Sequence, residues 1–326
     1  MKKVLIAILL LGLLPHASAD YIHWVDFRLS APVLRSALEL DMASQGGEQP
    51  LDWIDILALA AAWRGGTGVT VADTQRAAQA LRGDTPPERL PGMAGRCFSY
   101  YRAAYGAALG GLVGHFAIRR TDPQTGEAEW IPAYGHKAFS PIAAGYPWSH
   151  YPDFGAQRSY GYARPHLGND ILGALGTPIC AVEGGTVEAL GWNRYGGWRI
   201  GIRSDDRKRY YYYAHLRKDT PYAEGLAVGQ RVQAGDVIGF MGRTGYSAQE
   251  NVNNIETVHL HFGLQLIFDE SQKECDSEIW IDVYPIIELL ASHCSSVARD
   301  PQTGRWERLY PYCDLDAEPL RSAAAR

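Results

Sequence analysis

The sequence predicts an α+β protein in which a helical N-terminal domain precedes an all-β antiparallel domain. Two observations predict this class. Up to about Gly110, apolar residues recur every three or four positions, whereas from Asp170 onward they alternate and glycine becomes frequent. The chain has 326 residues, of which 46% are hydrophobic and 21% charged, so it is long and apolar enough to bury a sizeable core.

The N-terminal part contains a series of helical patterns that end near glycine or proline, as helices commonly do. Four helices are therefore expected: Ala31–Met42, Leu51–Trp63, Val71–Leu81 and Arg96–Leu109. We assign residues 20–132 to this helical domain.

A stretch rich in proline, glycine and aromatic residues, 133–164, follows the helices. We interpret it as a connecting loop region that wraps onto the next domain, because its aromatic side chains need a surface to pack against. If this stretch has a functional role, its segment Tyr146–Tyr162 would line a cleft beside His166.

Short alternating segments separated by glycine turns indicate antiparallel strands in residues 165–270. The expected strands are Thr177–Val182, Gly185–Leu190, Trp198–Arg203, Tyr210–His215, Asp236–Met241 and Val258–Ile267. The charged run Asp205–Arg209 between two of them is expected to be a solvated hairpin turn. Residues 271–326 form a C-terminal extension that carries an apolar helix, Tyr284–Leu290.

The first 19 residues have the pattern of a signal peptide. Lys2 and Lys3 precede the apolar run Val4–Leu14, and Ala17-Ser18-Ala19 is a small-residue cleavage site. The apolar run is too short to span a bilayer, which takes about 20 residues. We therefore expect an exported protein, periplasmic or extracellular in the cell wall, with no membrane span after removal of the signal.

Charge and cysteine content restrict the function further. The formal net charge is -5, and an acidic chain lacks the basic surface expected of a nucleic-acid-binding protein. In an oxidising compartment, a disulfide could fasten the C-terminal segment, and the pairing is open among the five cysteines: Cys97, Cys180, Cys275, Cys294 and Cys313. Cys180 lies in an apolar string and is expected to be a buried free thiol.

Three short strings contain four of the ten histidines: His166-Leu-Gly-Asn-Asp170, Tyr213-Ala-His215 and His259-Leu-His261. Strand alternation places His259 and His261 on one face, beside Gly263, which would leave room for a substrate backbone. The same alternation would place His215 on the face of Tyr211 and Tyr213.

These residues are of the type and number that a hydrolytic zinc site requires. Such a site takes three protein ligands and keeps one position for water; His166, Asp170 and one histidine of the 259/261 pair supply three. Zinc lowers the pKa of its bound water to about 7. Of the two remaining histidines, one can take a proton from the attacking water and the other can stabilise the oxyanion. Another histidine could block the zinc in a latent form, and His136 and His150 are nearest in sequence.

The ordered series of motifs resembles the lysostaphin/LytM-type zinc metalloendopeptidases of bacterial cell walls. The resemblance covers roughly Tyr160–Phe268 and rests on the three histidine strings together with Gly176-Thr-Pro-Ile179, Ala181–Val187, Gly229–Gly239 and Gly242–Gly245. It implies a two-sheet duplicated-hybrid-motif domain with one Zn²⁺ per chain. The implied ligands are His166, Asp170 and His261, and the implied catalytic histidines are His215 and His259.

The resemblance also implies a function: hydrolysis of peptidoglycan peptide bonds, in the stem or cross-link, by a zinc-bound water. Two departures affect substrate preference. The segment Tyr246–Val258 is longer than is common in the family, and Gly263 stands where the family usually has glutamate. The alternative is a catalytically silent or latent LytM-like protein that binds the wall and activates another hydrolase. The helical domain could bind a protein partner.

Overall fold

The computed structural model describes residues 22–273 and 277–317. The predicted signal peptide, residues 1–19, and Cys275 therefore lie outside the described residues. No helix in the described part is both long and apolar enough to cross a bilayer.

The helices lie where the sequence predicts them, within a few residues at each end. They are α1 Ala31–Ser44, α2 Trp53–Arg64, α3 Val71–Leu81, α4 Met93–Leu109 and, in the C-terminal extension, α5 Tyr284–Leu290. The Asp52 carboxylate accepts the Ile54 backbone N–H at the start of α2, a typical N-cap. Most residues of α2 are buried, because this helix is apolar on nearly all sides and lies inside the helical layer.

The strands are short, and every named pair is antiparallel. In chain order they are β1 Val113–Thr121, β2 Ala128–His136, β3 Trp148–His150, β4 Gln157–Arg158, β5 Arg164–Pro165, β6 Asn169–Gly173, β7 Pro178–Cys180, β8 Gly185–Asn193, β9 Gly197–Ser204, β10 Arg209–Ala214, β11 Arg231–Val232, β12 Val237–Phe240, β13 His259–Leu266, β14 Ile279–Trp280, β15 Val297–Arg299, β16 Trp306–Arg308 and β17 Tyr312–Asp314.

One large sheet has the order β11-β8-β9-β10-β13-β6-β3, with β14 paired to β13, and a small sheet contains β12 and β7. The six strands expected from alternation are all present, as β7, β8, β9, β10, β12 and β13. The fold is thus a helical N-terminal region followed by a mostly antiparallel β region. The two-sheet duplicated hybrid motif stays a prediction.

The helical region ends earlier than predicted. Its assignment to residues 20–132 is wrong after Leu109, because β1 and β2 form a hairpin and β17 joins β1. The third strand of this sheet comes from residues 312–314, nearly 200 positions from the β1 residues with which it pairs. Local periodicity does not detect pairing over such a distance.

Helices and sheet share one hydrophobic core. Fully buried residues such as Leu57 of α2, Ile200 of β9 and Leu264 of β13 belong to a single cluster. Within it, α5 packs against α1, so the C-terminal extension contacts the helical layer. The sheet that carries the predicted site is supported from behind by the helices.

Arg209 joins the two regions and corrects the prediction of a solvated turn. Its side chain is only 1% exposed and contacts the Glu183 carboxylate through Nε at 2.7 Å and Nη2 at 3.0 Å. Its Nη1 donates at 2.7 Å to the Ala107 carbonyl in the last turn of α4, where helix carbonyls commonly lack partners in the helix. A longer contact of 3.3 Å reaches the Gly106 carbonyl, which also accepts the Gly110 N–H. Tyr211 Oη also donates to Glu183, at 2.6 Å.

The C-terminal extension is held by noncovalent contacts. Cys97, Cys180, Cys294 and Cys313 are free thiols, so the expected disulfide is absent among these four. The prediction for Cys180 is confirmed, since it is fully buried. The Lys137 ammonium binds the Asp314 carboxylate at 3.0 Å, which fastens β17 beside the first hairpin.

We predict that Arg209→Ala lowers the free energy of unfolding by about 3–5 kcal/mol, because it leaves the Glu183 carboxylate buried without its cation. Urea denaturation followed by circular dichroism measures this change. The matched control is Arg207→Ala, since the Arg207 side chain is 60% exposed and exposed ion pairs contribute roughly 0–1 kcal/mol. Equal losses for the two variants would contradict the assigned role of Arg209.

Candidate metal centre and cleft

The pairing of β6 with β13 brings the predicted ligands together. Asp170 lies directly opposite His261 in this ladder, and opposite residues place their side chains on the same face of a sheet. On the other face, Leu260 and Phe262 are at most 1% exposed and enter the core. The predicted alternation of β13 is therefore confirmed.

Three donor atoms converge on one point of the cleft. His166 Nε2 lies 2.7 Å from His261 Nδ1 and 3.0 Å from Asp170 Oδ1, and His261 Nδ1 lies 3.2 Å from the same oxygen. Among the residues that the structure describes, these three form the group of His, Cys, Asp and Glu side chains whose donor atoms lie close enough together to hold a metal ion. Donors about 2.0–2.2 Å from a tetrahedral zinc would be separated by roughly 3.3–3.6 Å, so outward shifts of less than about 1 Å would accommodate the ion. Two imidazoles and one carboxylate also match zinc in their chemistry.

Two further side chains fix the orientation of these donors. Asp153 lies against His166 Nδ1, with its Oδ2 at 3.2 Å and its backbone carbonyl at 3.1 Å. This contact makes Nδ1 the donor and leaves Nε2 free for a metal. Arg158 Nη2 donates to Asp170 Oδ2 at 2.9 Å, which directs Oδ1 toward the imidazoles.

The same contacts decide the charges at the centre. Burial alone would lower the pKa of His166, but its hydrogen bonds to Asp153 and Asp170 outweigh burial and raise it to about 9. Burial would raise the pKa of Asp170, but the hydrogen bonds from His166 and His261 hold it far below its ordinary value. At neutral pH Asp170 is therefore a carboxylate, the form that binds a metal, whereas His166 carries a second proton that a metal ion would have to displace from Nε2.

Two glycines are required by close contacts at the centre. A Cβ on Gly168 would lie 2.7–2.8 Å from ring atoms of His261, and a Cβ on Gly263 would lie 2.8 Å from the Trp280 ring and 2.9 Å from the Leu167 carbonyl oxygen. The expectation that Gly263 leaves room for a substrate backbone is therefore wrong. The Trp280 ring fills that space, and a glutamate at position 263 would not fit beside it.

His215 reaches the cleft by a route that alternation does not predict. Tyr211 and Tyr213 are at most 1% exposed and point into the core, so the prediction that His215 shares their face is wrong. Strand β10 ends at Ala214, and His215 has φ 62°, a left-handed conformation uncommon for a residue other than glycine. This turn of the backbone places the imidazole 4.7 Å from the His259 ring.

The two histidines outside the ligand triangle are held in the same tautomer. His215 Nδ1 lies 2.9 Å from the Thr244 carbonyl, and His259 Nδ1 lies 2.9 Å from the Thr257 carbonyl. A carbonyl only accepts, so each Nδ1 carries the hydrogen and each Nε2 is free. His259 Nε2 is 3.7 Å from Asp170 Oδ1, which places it beside the proposed metal position.

The stretch 133–164, expected to be a connecting loop, contains the end of β2 and the short strands β3 and β4. It packs onto the β region, because β3 pairs with β6, and its Arg158 lines part of the cleft. Arg164, Tyr195 and Tyr246 also line the cleft. The ring of Tyr160 stacks on that of Tyr246 with centroids 4.5 Å apart, so this aromatic residue of the stretch packs against a residue of the cleft lining.

Neither histidine considered for latency lies at the metal centre. His136 stacks on His293 with ring centroids 4.8 Å apart. His150 hydrogen-bonds to the Asn169 amide oxygen through Nδ1 at 2.6 Å and to the Glu288 carboxylate through Nε2 at 2.7 Å. The expectation that one of them blocks the zinc does not hold in this structure.

Sequence reasoning missed Asp153 and Arg158. Both lie in an irregular segment, and no periodic pattern surrounds them. Asn169 Nδ2 donates to Asp153 Oδ1 at 2.8 Å, so the Asn of the first histidine string positions the carboxylate that holds His166. That Asn, one residue before Asp170, was the signal available in the sequence.

Residues 164–274 match the family model "Peptidase family M23". This chain contains an M23 peptidase domain. The candidate metal-binding residues, His215 and His259 lie within the matched segment, whereas Asp153 and Arg158 precede it.

The M23 domain is homologous to curated proteins from several bacteria. The L-Ala--D-Glu endopeptidase of Bacillus subtilis is 36% identical over 177 residues, covering 51% of this chain and 52% of that protein. Lysostaphin of Staphylococcus simulans is 37% identical over 98 residues, 30% of this chain and 17% of its own length. The chain thus spans about half the length of the first relative and less of the second.

Solved structures include LytM-type neighbours. The crystal structure of a candidate glycyl-glycine endopeptidase lytM from Ruminococcus gnavus has 24% sequence identity and a TM-score of 0.47, covering 82% of this chain and 91% of that chain.

We predict that Asp170→Ala removes stoichiometric zinc, whereas Asp153→Ala weakens zinc binding by roughly 10- to 100-fold, the usual effect of losing a residue that orients a ligand. Metal analysis after dialysis and competition with a chelating dye measure the two effects. Glu39→Ala on the exposed face of α1 is the control and should leave zinc affinity unchanged. Full zinc content in Asp170→Ala would exclude the assigned triangle.

Proposed function

We propose that the protein is an exported zinc-dependent endopeptidase that hydrolyses peptide bonds of peptidoglycan. The observation that carries this proposal is the convergence of five side chains at one end of a cleft: a triangle of ligand atoms and two imidazoles with free Nε2 atoms. Homology of the M23 domain to endopeptidases supports the substrate class. The signal-peptide pattern of residues 1–19 supports export.

His166, Asp170 and His261 would hold the zinc. Zinc, when bound, supplies a water of lowered pKa and polarises the scissile carbonyl. The triangle lies on the face of β6 and β13 that lines the cleft, so a peptide lying in the cleft would pass beside the ligands.

The other two histidines would move protons and stabilise charge. With Nδ1 bound to a carbonyl, each neutral imidazole presents a lone pair on Nε2 and can accept a proton from the attacking water. Once protonated, the same Nε2 becomes a donor for the oxyanion or the leaving amine. The 4.7 Å separation of the His215 and His259 rings allows both to act on one scissile bond. The spare histidine pair favours turnover over a silent wall-binding role.

We expect the purified protein to release peptides with new amino termini from isolated peptidoglycan, because hydrolysis of an amide creates one amine per bond. Release should stop with a zinc chelator and return with added zinc. Walls of several cross-link types, analysed by mass spectrometry, would identify the bond. No release from any wall by protein shown to hold zinc would reject the endopeptidase in favour of a silent or latent form.

We also expect His259→Ala to keep its zinc and to lose about 10²- to 10⁴-fold in kcat, the usual contribution of a general acid–base group. Metal analysis and wall turnover on the same preparation separate the two properties. The control is His115→Ala, whose imidazole is 64% exposed and lies on β1, away from the cleft. Loss of zinc in His259→Ala would show that His259, and not His261, is the ligand.

A further inference from the structure

The cleft has a different charge from the rest of the protein. The chain carries a formal net charge of -5, yet the residues lining the cleft include more basic than acidic side chains. The basic ones are Arg158, Arg164, Arg199 and Lys273, and the acidic ones are Asp170 and Glu278. Such a local excess of positive charge favours an anionic ligand.

Three of these four cations already have partners within the protein. Arg158 contacts Asp153 and Asp170, and Lys273 forms an ion pair with Glu188. Arg164 donates to the Tyr160 carbonyl at 2.7 Å and lies over the Tyr195 ring at 4.6 Å. Each of these contacts explains its side chain without a substrate.

Arg199 differs from the other three. It forms no ion pair with any carboxylate of residues 22–273 or 277–317, and its Nε atom is buried without a hydrogen-bond partner. Most buried donors in folded proteins are satisfied. Arg199 therefore combines a position in the cleft lining with a positive charge that no carboxylate of the described residues neutralises, which makes it available to an anionic group of a ligand.

The strand register places Arg199 close to the metal centre. Ile200, Tyr213 and Phe262 lie opposite one another across β9, β10 and β13 and enter the core. Arg199 directly precedes Ile200 in β9, so its side chain points to the other face of the sheet, toward the cleft. It lies level with His261, two strands away. Two strand spacings amount to roughly 10 Å, a distance that an extended peptide covers with about three residues.

Tyr212 also lines this side of the sheet, beside His261. The Tyr212 ring contacts the His261 ring edge-on, with centroids 5.8 Å apart. Arg199, Tyr212 and His261 thus all line the same cleft.

We propose that Arg199 binds a carboxylate of the substrate peptide within about three residues of the scissile bond, so that the M23 domain selects acidic stem peptides over uncharged glycine chains. This inference rests on the proposed function. The planar guanidinium suits a carboxylate because it can donate two parallel hydrogen bonds. Replacing Arg199 would leave no buried carboxylate without its cation, so the role of Arg199 is in binding rather than in folding.

The first test compares one peptidoglycan preparation before and after its carboxylates are converted to amides with carbodiimide and ammonia. Arg199→Gln should lower kcat/KM on the untreated wall by about 10- to 100-fold, the contribution of a charge-assisted hydrogen bond, and change the rate on the amidated wall little. Arg199→Lys should restore part of the loss. Arg194→Gln, which removes an exposed arginine outside the cleft lining, should behave like the unaltered protein on both walls.

A binding measurement separates this inference from the proposed function. Zinc-loaded full-length His259→Ala protein is titrated by calorimetry with an acetylated Ala-Glu-Lys-Ala stem peptide and with its fully amidated form. The acidic peptide should bind about 10- to 100-fold more tightly, and adding Arg199→Gln should abolish the difference.

The outcomes are distinct. A preference for the acidic peptide that depends on Arg199, in a protein without turnover, would reject the endopeptidase and retain Arg199 as a carboxylate site. Equal affinity for the two peptides, no binding of either, or an equal fall in turnover on both walls would overturn the assignment of Arg199.

Discussion

The site depends above all on the register between β6 and β13. Because Asp170 lies opposite His261, a carboxylate and an imidazole meet on one face while Leu260 and Phe262 are buried on the other. A shift of one residue would exchange the two faces of a strand, which would bury His261 and expose the apolar residues. The hydrophobic pattern of β13 therefore fixes the relative positions of the proposed metal ligands, so the same alternation determines the packing of the strand and the arrangement of the site.

The helical layer contributes to the site through the opposite face of the sheet. Arg209 begins β10 and binds the last carbonyls of α4, while Glu183 holds both Arg209 and Tyr211. These buried bonds fix β10 against the helices. Since β10 is the direct neighbour of β13 and leads into His215, the helices influence where that imidazole stands. None of the cleft-lining residues belongs to the helices α1–α4, so their part is to support the sheet.

The parts of this arrangement that follow from a periodic sequence pattern can be predicted from the sequence. The helices, the six predicted strands and the inward face of β13 follow from apolar spacing, and the five site residues follow from the histidine strings and the resemblance. Non-local or irregular features do not. The φ of 62° at His215, the pairing of β17 with β1 and the contact of Asp153 with His166 each depend on tertiary structure. The burial of Arg209 has the same origin, because its partners Gly106 and Glu183 come from distant segments.

The polar groups of the cleft fall into two sets: those whose atoms are bound by other protein groups, and those that keep atoms without a protein partner. One set is bound internally: Asp170 has Arg158 on one oxygen and imidazoles near the other, and His166 has Asp153. Such contacts hold donors in place before a ligand arrives, which reduces the entropy lost on binding. The other set keeps free atoms: Nε2 of His215, Nε2 of His259 and Nε of Arg199. The residues that carry these three atoms line one cleft, so a ligand that enters the cleft can complete their contacts.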